Sequence, residues 1–399
     1  MSDICAYHDQ LINVRRHLHT MPEEGWCEFR TTAYLIETLR GYGYEVLTGT
    51  KVIDPESCLG RNPKLVEAAQ QYALENGVSQ AMLDEMEGFT GCCAVMDTGR
   101  PGPTLAVRFD IDCIPVQESN EPDHKPAKEG FVSERPGFMH ACGHDAHMST
   151  GLALAHWFAD HKDEMKGRIK FLFQPAEEGV RGAAGMAASG IADDADFFLA
   201  AHIAMMCKSG EVSIKPYGFL CTTKLDVTYQ GAPAHAGVEP NAGKNAMAAA
   251  CNAFVQLLGI PRHGSGMSRI NVGQLTAGEG RNVIPSKAVM KMEVRGETAE
   301  INTYMYERAV DIIKGCAIAQ GCEYKIEKMG EAVDLINDEE MVEVLRKDEL
   351  RRLRRCDDHR PPRAGQGRQG RVLRPGCRPS VGPPHGEVRR RRKGARHGP

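Results

Sequence analysis

The stretch "RIKFLFQPAEEG" (168–179) decides the fold, because an apolar run ends abruptly in a proline and two glutamates. An apolar run of this length, closed by Pro and Gly, predicts a buried β-strand followed by a turn. Paired glutamates usually lie on a solvated helix face, but this pair directly follows a buried strand. The sequence therefore predicts a strand that carries Glu177 and Glu178 to the edge of a sheet.

Other apolar runs in the chain have the same form and also lead into polar side chains. They are "CCAVMDT" (92–98), "TLAVRFDID" (104–112) with Asp110 and Asp112, and "DFFLAAHIAM" (196–205) with His202. A helix-like stretch at 145–160 separates two of them, so strands alternate with helices as in a doubly wound α/β sheet. Ligand sites in such sheets form beyond the carboxyl ends of the strands, and we expect the polar side chains to converge there.

The pattern changes near residue 218, where strand-like and helical stretches follow the order βαββαβ. This order is typical of a ferredoxin-like α+β domain. We therefore predict an α/β protein with a doubly wound domain into which a ferredoxin-like domain is inserted. The expected boundaries are 1–217 for the first domain, with a helical insertion at about 52–89, then 218–330 for the inserted domain and 331–348 for a return to the first domain.

The last part of the chain, 349–399, has a different composition. It contains 16 Arg or Lys against 4 Asp or Glu, with many Pro and Gly residues and almost no apolar periodicity. Such a segment cannot bury enough apolar surface to fold, so we expect it to be disordered. A nucleic-acid-binding tail is one interpretation. A shifted reading frame in a G/C-rich gene is the favoured one, because G/C-rich codons give these residue types in any frame.

Composition also limits the class of protein. The net charge is −4 although the tail is strongly basic, so the body is acidic and nucleic acid is not the expected partner. No apolar run approaches the roughly 18 residues that a membrane helix needs. The first 20 residues lack a basic region followed by an apolar core, which is the pattern of a signal peptide. We therefore expect a cytoplasmic protein.

The stretch "FMHACGHDAHMST" (138–150) concentrates metal-binding side chains. Cys142 and His144 flank a glycine, and a tight turn at that glycine would let both side chains face one cation. The candidate ligands are Cys142, His144, Glu178 and His202. This mixture of thiolate, imidazole and carboxylate fits Zn²⁺ or Mn²⁺ and does not decide between them. We expect His140 and His147 to support the ligands.

The glutamate pair also suggests a division of roles. Glu178 can bind a cation, while Glu177 can accept a proton from an activated water and return it to a leaving amine. Asp112, two residues after Asp110, can orient a ligand or hold a second cation.

These motifs resemble a known family. "VRFDID", "HACGHDAH", "FQPAEEG", "AHAG", "GRNVIP" and "EVRG" occur in the order found in the amidohydrolase branch of the co-catalytic metallopeptidases. The resemblance implies a catalytic domain with two divalent metal ions, Mn or Zn, and a smaller lid domain that also forms a homodimer or a heterodimer with a related subunit. It implies hydrolysis of the amide bond of an N-acyl or aminobenzoyl amino acid. "GWCEFRT", "DTGRPGP" and the helical insertion are similar to enzymes that act on p-aminobenzoyl-glutamate.

The resemblance also implies residue roles. It matches Cys142, His144, Glu178 and His202 to the metal ligands, Glu177 to the general base and Asp112 to the supporting aspartate. It matches His235 of "AHAG" to a histidine that reaches the scissile carbonyl, often in the partner's site. It matches Asn282 and Arg295 to lid residues that contact the substrate.

The chain departs from this family after the lid. Members continue with a "GSEDF"-like turn and a final histidine ligand, whereas here the Arg/Pro/Gly-rich tail follows. We expect one ion to lack a ligand, an apolar face to be exposed and the chain to have weak or no activity. Two alternatives stay open: a hydrolase of other N-acyl amino acids or dipeptides, or a catalytically impaired partner subunit.

Overall fold

The computed structural model describes residues 4–203 and 212–356. Its helices are α1 (His8–Thr20), α2 (Phe29–Gly41), α3 (Pro63–Glu75), α4 (Gln80–Glu85), α5 (Lys125–Glu129), α6 (His144–Asp160), α7 (Ala183–Ala188), α8 (Ala246–Leu258), α9 (Ala299–Ala319) and α10 (Glu339–Cys356). Its strands are β1 (Glu45–Leu47), β2 (Cys92–Asp97), β3 (Thr104–Asp110), β4 (Arg168–Gln174), β5 (Phe197–Ala200), β6 (Cys221–Gln230), β7 (Ser268–Ala277), β8 (Lys287–Gly296) and β9 (Glu323–Ala332).

The first sheet has five strands in the order β1-β2-β4-β3-β5. Strands β4, β3 and β5 run parallel, whereas β1 and β2 pair antiparallel at the other side. The structure thus has a mixed α/β sheet whose parallel part contains the three strands expected to carry the polar site. The helical stretch predicted between β3 and β4 is α6, and the expected helical excursion forms α3 and α4.

Strand β4 lies at the centre of this sheet and is buried along almost its whole length. The rings of Phe109 and Phe173 come within 2.9 Å of the position that a side chain on Gly151 of α6 would occupy. Glycine therefore lets α6 lie directly on the aromatic face of the sheet. This contact places the N-terminus of α6 beside the carboxyl ends of the parallel strands.

The second sheet has four antiparallel strands in the order β7-β8-β6-β9, with α8 and α9 between them in sequence. Val227 of β6 pairs with Met290 of β8 and with Ile326 of β9. These strands and both helices enclose a separate apolar core. The chain order βαββαβ is the one that the sequence predicted for this region.

The two sheets belong to one compact unit, Met1–Ile203 with Tyr217–Ile336. Within it, the end of β9 contacts the loop that follows β4. The Glu331 amide donates to the Val180 carbonyl at 2.9 Å, and a side chain on Gly330 would lie 2.1 Å from the Gly179 carbonyl oxygen. Only glycine permits this close approach of two backbones.

Helix α10 belongs to a second compact unit, Ala204–Pro216 with Asn337–Pro399. It ends at Cys356, so the first residues of the segment expected to be disordered are helical. The expectation for the rest of that segment, 357–399, lies outside the described residues. Among the helices that the structure describes, none is long and apolar enough to cross a membrane.

Strand β5 exposes aromatic surface. It is the edge strand of the first sheet as far as the described residues show, and Phe198 is 52% exposed. Phe197 beside it is also exposed. An apolar edge strand offers unpaired backbone groups and apolar side chains to a second molecule.

We predict that Phe198→Lys reduces self-association of the purified chain, because a charged side chain on an edge strand opposes pairing with another edge. Light scattering as a function of protein concentration measures the effect. The matched control is Leu65→Lys on α3, which replaces a side chain of similar exposure, 47%, on a helix. Equal improvement by both substitutions would show that the edge strand has no special part in association.

Candidate metal centre

The parallel strands bring three sets of polar side chains to one edge of the first sheet. Strand β3 leads into Asp110 and Asp112, β4 leads into the glutamate pair, and β5 leads into His202. Because β4, β3 and β5 are neighbours, their carboxyl ends lie side by side. The segments that the sequence predicted to converge do so in the structure.

The N-terminus of α6 completes this edge. Gly143 precedes the helix with φ of +85°, and a side chain there would lie 2.7 Å from the Cδ1 atom of Ile203. A left-handed residue without a side chain is therefore required between Cys142 and His144. This turn directs the thiol of Cys142 and the imidazole of His144 into the same space. Their ligand atoms and a carboxylate oxygen of Glu178 all lie within 4.8 Å of one another.

The imidazole of His144 is buried and oriented by Asp112. Its Nδ1 atom lies 2.8 Å from the Asp112 carbonyl oxygen and 3.2 Å from the Asp112 Oδ1 atom. An Nδ1 atom between two acceptors carries the proton, which leaves the lone pair of a neutral ring on Nε2. Nε2 is buried and has no hydrogen-bond partner among the described residues. A cation would satisfy it.

Two groups of potential ligand atoms share His144. The first group is Cys142, His144 and Glu178, and the second is Asp110, His144, His147 and His202. Within each group all donor atoms lie within 4.8 Å of one another. The Cys142 Sγ atom is 3.5 Å from the His202 Nε2 atom, which joins the two groups. The structure therefore brings all four sequence-predicted ligands together.

Asp110 and His147 lie in the same pocket, although the sequence did not single them out as ligands. The Ile203 amide donates to His147 Nε2 at 3.1 Å, so a neutral ring carries its proton on Nδ1, 3.4 Å from the Asp110 Oδ2 atom. Asp110 also forms an ion pair with Arg108. His147 Nδ1 thus faces Asp110, although neither atom has a hydrogen-bond partner in the described residues, and the supporting role of His147 stays a prediction.

Several carboxylates lie close together in the pocket, and the pKa values of Glu177, Cys142 and His144 are raised there. Burial, together with the charges of Asp110 and Asp112, raises the pKa of Glu177 to about 7. Burial and Glu178 raise the pKa of the Cys142 thiol to about 12. Burial opposes the charge on His144, but Asp112 and the other carboxylates outweigh it and raise its pKa to about 9. A divalent cation would replace the protons of these groups, so the donor set fits a metal.

The residues expected to contact substrate lie on the second sheet and its loops. His235 is exposed and forms an isolated bridge with Val283, one residue after Asn282. Asn282 is exposed, and its carbonyl accepts from the Ala236 amide at 3.0 Å. Arg295 on β8 forms an ion pair with Glu293. In the described residues none of the three contacts the ligand cluster, so their roles stay predictions.

Comparison with known protein families identifies relatives of this chain. Residues 106–362 match the sequence model of peptidase family M20/M25/M40. Over 84% of its length the chain is 49% identical to a homolog of one p-aminobenzoyl-glutamate hydrolase subunit from Haemophilus influenzae, of which 80% is covered. It is 41% identical to a p-aminobenzoyl-glutamate hydrolase subunit from Escherichia coli, covering 80% of this chain and 74% of that relative.

A solved structure is similar as well. The aminobenzoyl-glutamate utilization protein from Klebsiella pneumoniae superposes with a TM-score of 0.77 at 38% sequence identity. The match covers 87% of this chain and 82% of that one. The similarity thus includes most of the chain.

We predict that His144→Ala weakens Mn²⁺ binding by at least about 100-fold, because loss of even an outer supporting group typically costs about 10- to 100-fold in metal affinity. Isothermal titration calorimetry of the full chain measures it. The control is His161→Ala, just beyond the C-terminal end of the same helix, which should bind Mn²⁺ as the wild type does. Unchanged affinity after His144→Ala would contradict the assignment of this pocket.

Proposed function

This chain belongs to peptidase family M20/M25/M40, and we propose that it uses divalent metal ions to hydrolyse the amide bond of p-aminobenzoyl-glutamate. One observation carries the proposal: the paired glutamates after β4 lie beside the cysteine and histidine donors. Glu178 completes a ligand group with Cys142 and His144, and the Glu177 Oε2 atom lies 3.8 Å from the His144 Nε2 atom. Substrate identity rests on the names of the relatives at 49% and 41% identity.

We propose that Cys142, His144, Glu178 and His202 hold the metal, with Mn²⁺ or Zn²⁺ as the candidates and two ions as the expected number. When bound, such ions supply Lewis-acid activation of the scissile carbonyl and of water. Asp112 binds His144 through Nδ1, which would leave the Nε2 lone pair available to an ion. His147 and Asp110 lie in the same ligand group as His144 and His202 and would support these ligands.

Glu177 is the proposed general base. It is not needed to complete the first ligand group, and its carboxylate lies next to that group. Burial among other carboxylates raises its pKa, which makes it a stronger proton acceptor than an exposed glutamate. It would take a proton from the attacking water at a carboxylate oxygen and return that proton to the departing nitrogen.

The second sheet is the proposed lid. Its region, 218–330, would be inserted between the parts of a catalytic domain formed by 1–217 and 331–348. His235 would reach the developing oxyanion, in this protomer or in a partner's site. Asn282 and Arg295 would contact the substrate. A dimer, with a second copy or with a related subunit, fits the names of the relatives, which describe hydrolase subunits. A cytoplasmic location stays a prediction of the sequence.

We predict that the purified chain releases glutamate from p-aminobenzoyl-glutamate only when Mn²⁺ or Zn²⁺ is added, and that Glu177→Gln abolishes release without weakening metal binding. Release is measured by chromatography of p-aminobenzoate. The control, Glu164→Gln, changes an exposed glutamate outside the pocket.

Two results would count against this proposal. Equal turnover by the wild type and Glu177→Gln would contradict the assignment of Glu177 as the general base. No turnover by the wild-type chain with saturating metal would favour the alternative of a partner subunit. In that case Glu177→Ala in this chain should leave the activity of an assembled complex intact.

The lid residue Arg295 gives a second prediction. Its Nε and Nη2 atoms bind Glu293, while its Nη1 atom has no partner in the described part of the chain. We expect Arg295→Ala to raise KM for an anionic substrate by about 10-fold with little change in kcat, because it removes a charge-assisted contact made in both ground and transition state. Arg308→Ala, on exposed α9 surface, is the control and should leave KM unchanged. A loss confined to kcat would contradict a substrate-binding role.

A further inference from the structure

We propose that Glu28 is a positioning residue that holds the backbone before Glu177 in the conformation needed for catalysis. The proposal rests on the role of Glu177 proposed above. Glu28 lies far from the glutamate pair in sequence, in "GWCEFRT", and its side chain is fully buried.

Both carboxylate oxygens of Glu28 have a specific partner. The Ala176 amide donates to Oε1 at 2.7 Å, and the Thr90 hydroxyl donates to Oε2 at 2.6 Å. Ala176 directly precedes Glu177. The Thr90 contact fixes the carboxylate so that its other oxygen faces the Ala176 amide. A buried amide without an acceptor costs free energy, so the bond from Ala176 to Oε1 stabilises the loop.

A simple helix-capping role does not explain Glu28. The residue occupies the N-cap position of α2, but its side chain makes no hydrogen bond to that helix. Glu23 does this instead, because its carboxylate accepts from the Thr31 amide at 2.8 Å and from the Arg30 amide at 3.3 Å. The side chain of Glu28 is therefore available to the loop after β4.

The backbone that Glu28 holds is in an unusual conformation. Ala176 has φ of +50°, in the left-handed region that residues other than glycine rarely adopt. Its carbonyl accepts from the Gly182 amide at 2.8 Å and from the Arg181 amide at 3.2 Å, which closes the loop into a tight turn. Such a conformation persists only where the surroundings determine it strongly. The bond to Glu28 is one of these determinants.

A second buried carboxylate, that of Asp112, binds the backbone on the C-terminal side of Glu177. The Asp112 Oδ2 atom accepts from the Glu178 amide at 2.9 Å. Glu177 thus lies between two backbone amides, each bound by a carboxylate from a different part of the fold. A displacement of about 1 Å in a catalytic group can cost about 100-fold in rate, so fixing both amides fixes the base.

Three substitutions separate positioning from general stability. Glu28→Ala leaves the buried Ala176 amide without an acceptor. Glu28→Gln keeps an oxygen acceptor for Ala176, and its amide nitrogen can donate to Thr90. Glu23→Ala is the matched control, because it removes an equally buried glutamate from the same helix start and does not touch the loop. If Glu28→Ala does not fold, Thr90→Val replaces it, since it frees the carboxylate to rotate.

Hydrogen exchange followed by mass spectrometry of the full chain with Mn²⁺ reports on the loop without requiring turnover. We expect amides in 176–182 to exchange about 10-fold faster in Glu28→Ala, and about threefold faster in Thr90→Val, as expected for loss of a buried hydrogen bond. Glu28→Gln and Glu23→Ala should leave this segment near the wild-type rate. Unchanged exchange in Glu28→Ala, or equal acceleration in Glu23→Ala, would overturn the proposal.

Kinetics provide the second readout in any preparation that turns substrate over. Glu28→Ala should lower kcat by about 100-fold and change KM by less than about threefold, with rescue by Glu28→Gln. A normal kcat in Glu28→Ala would also overturn the proposal. If the proposed function is wrong, the wild type will not turn over the substrate, but the exchange result will still hold. If the positioning role of Glu28 is wrong, the wild type will turn over the substrate and Glu28→Ala will behave like it.

Discussion

The site depends on one buried carboxylate, that of Asp112, which binds both His144 and the backbone of the glutamate pair. One oxygen, together with the backbone carbonyl, faces His144 Nδ1, and the other accepts from the Glu178 amide. A residue just beyond β3 therefore sets the tautomer of a ring on α6 and the place of a loop after β4. Because Asp112 is fully buried, water cannot compete for these bonds. The arrangement of the metal pocket follows from this single group.

The architecture around Asp112 explains why these residues meet. Parallel neighbours β4, β3 and β5 end at one edge, and the glycine in α6 lets that helix lie close to the sheet. The four proposed ligands follow two of these strands or lie at the start of the helix, and Asp112, which orients His144, follows the third strand. Burial and the neighbouring carboxylates raise the pKa of Glu177, and the carboxylates raise the pKa of His144; a divalent cation in the pocket would lower both values.

Much of this could be predicted from sequence because the signals are local. The long apolar runs predicted the central strands, and the density of donors in 138–150 predicted the ligand pair. Strand β1 has three residues, too few to show periodicity, and its antiparallel pairing depends on distant partners. Glu23 and Glu28 resemble surface acids before a helix, and only the folded chain buries them. The tautomer of His147 depends on an amide more than 50 residues away.

The contact between Gly330 and Gly179 limits how this fold can be recombined. A carbonyl of the loop that carries the glutamate pair approaches the Gly330 backbone so closely that no side chain fits. Strand β9 reaches this point after a register shift opposite Lys224 and Leu225. A chimaera that takes its second sheet from a relative must therefore retain both this glycine and the irregular pairing before it. One residue more or less in β9 would move the junction and disturb the glutamate loop, although every side chain proposed to act in catalysis would be unchanged.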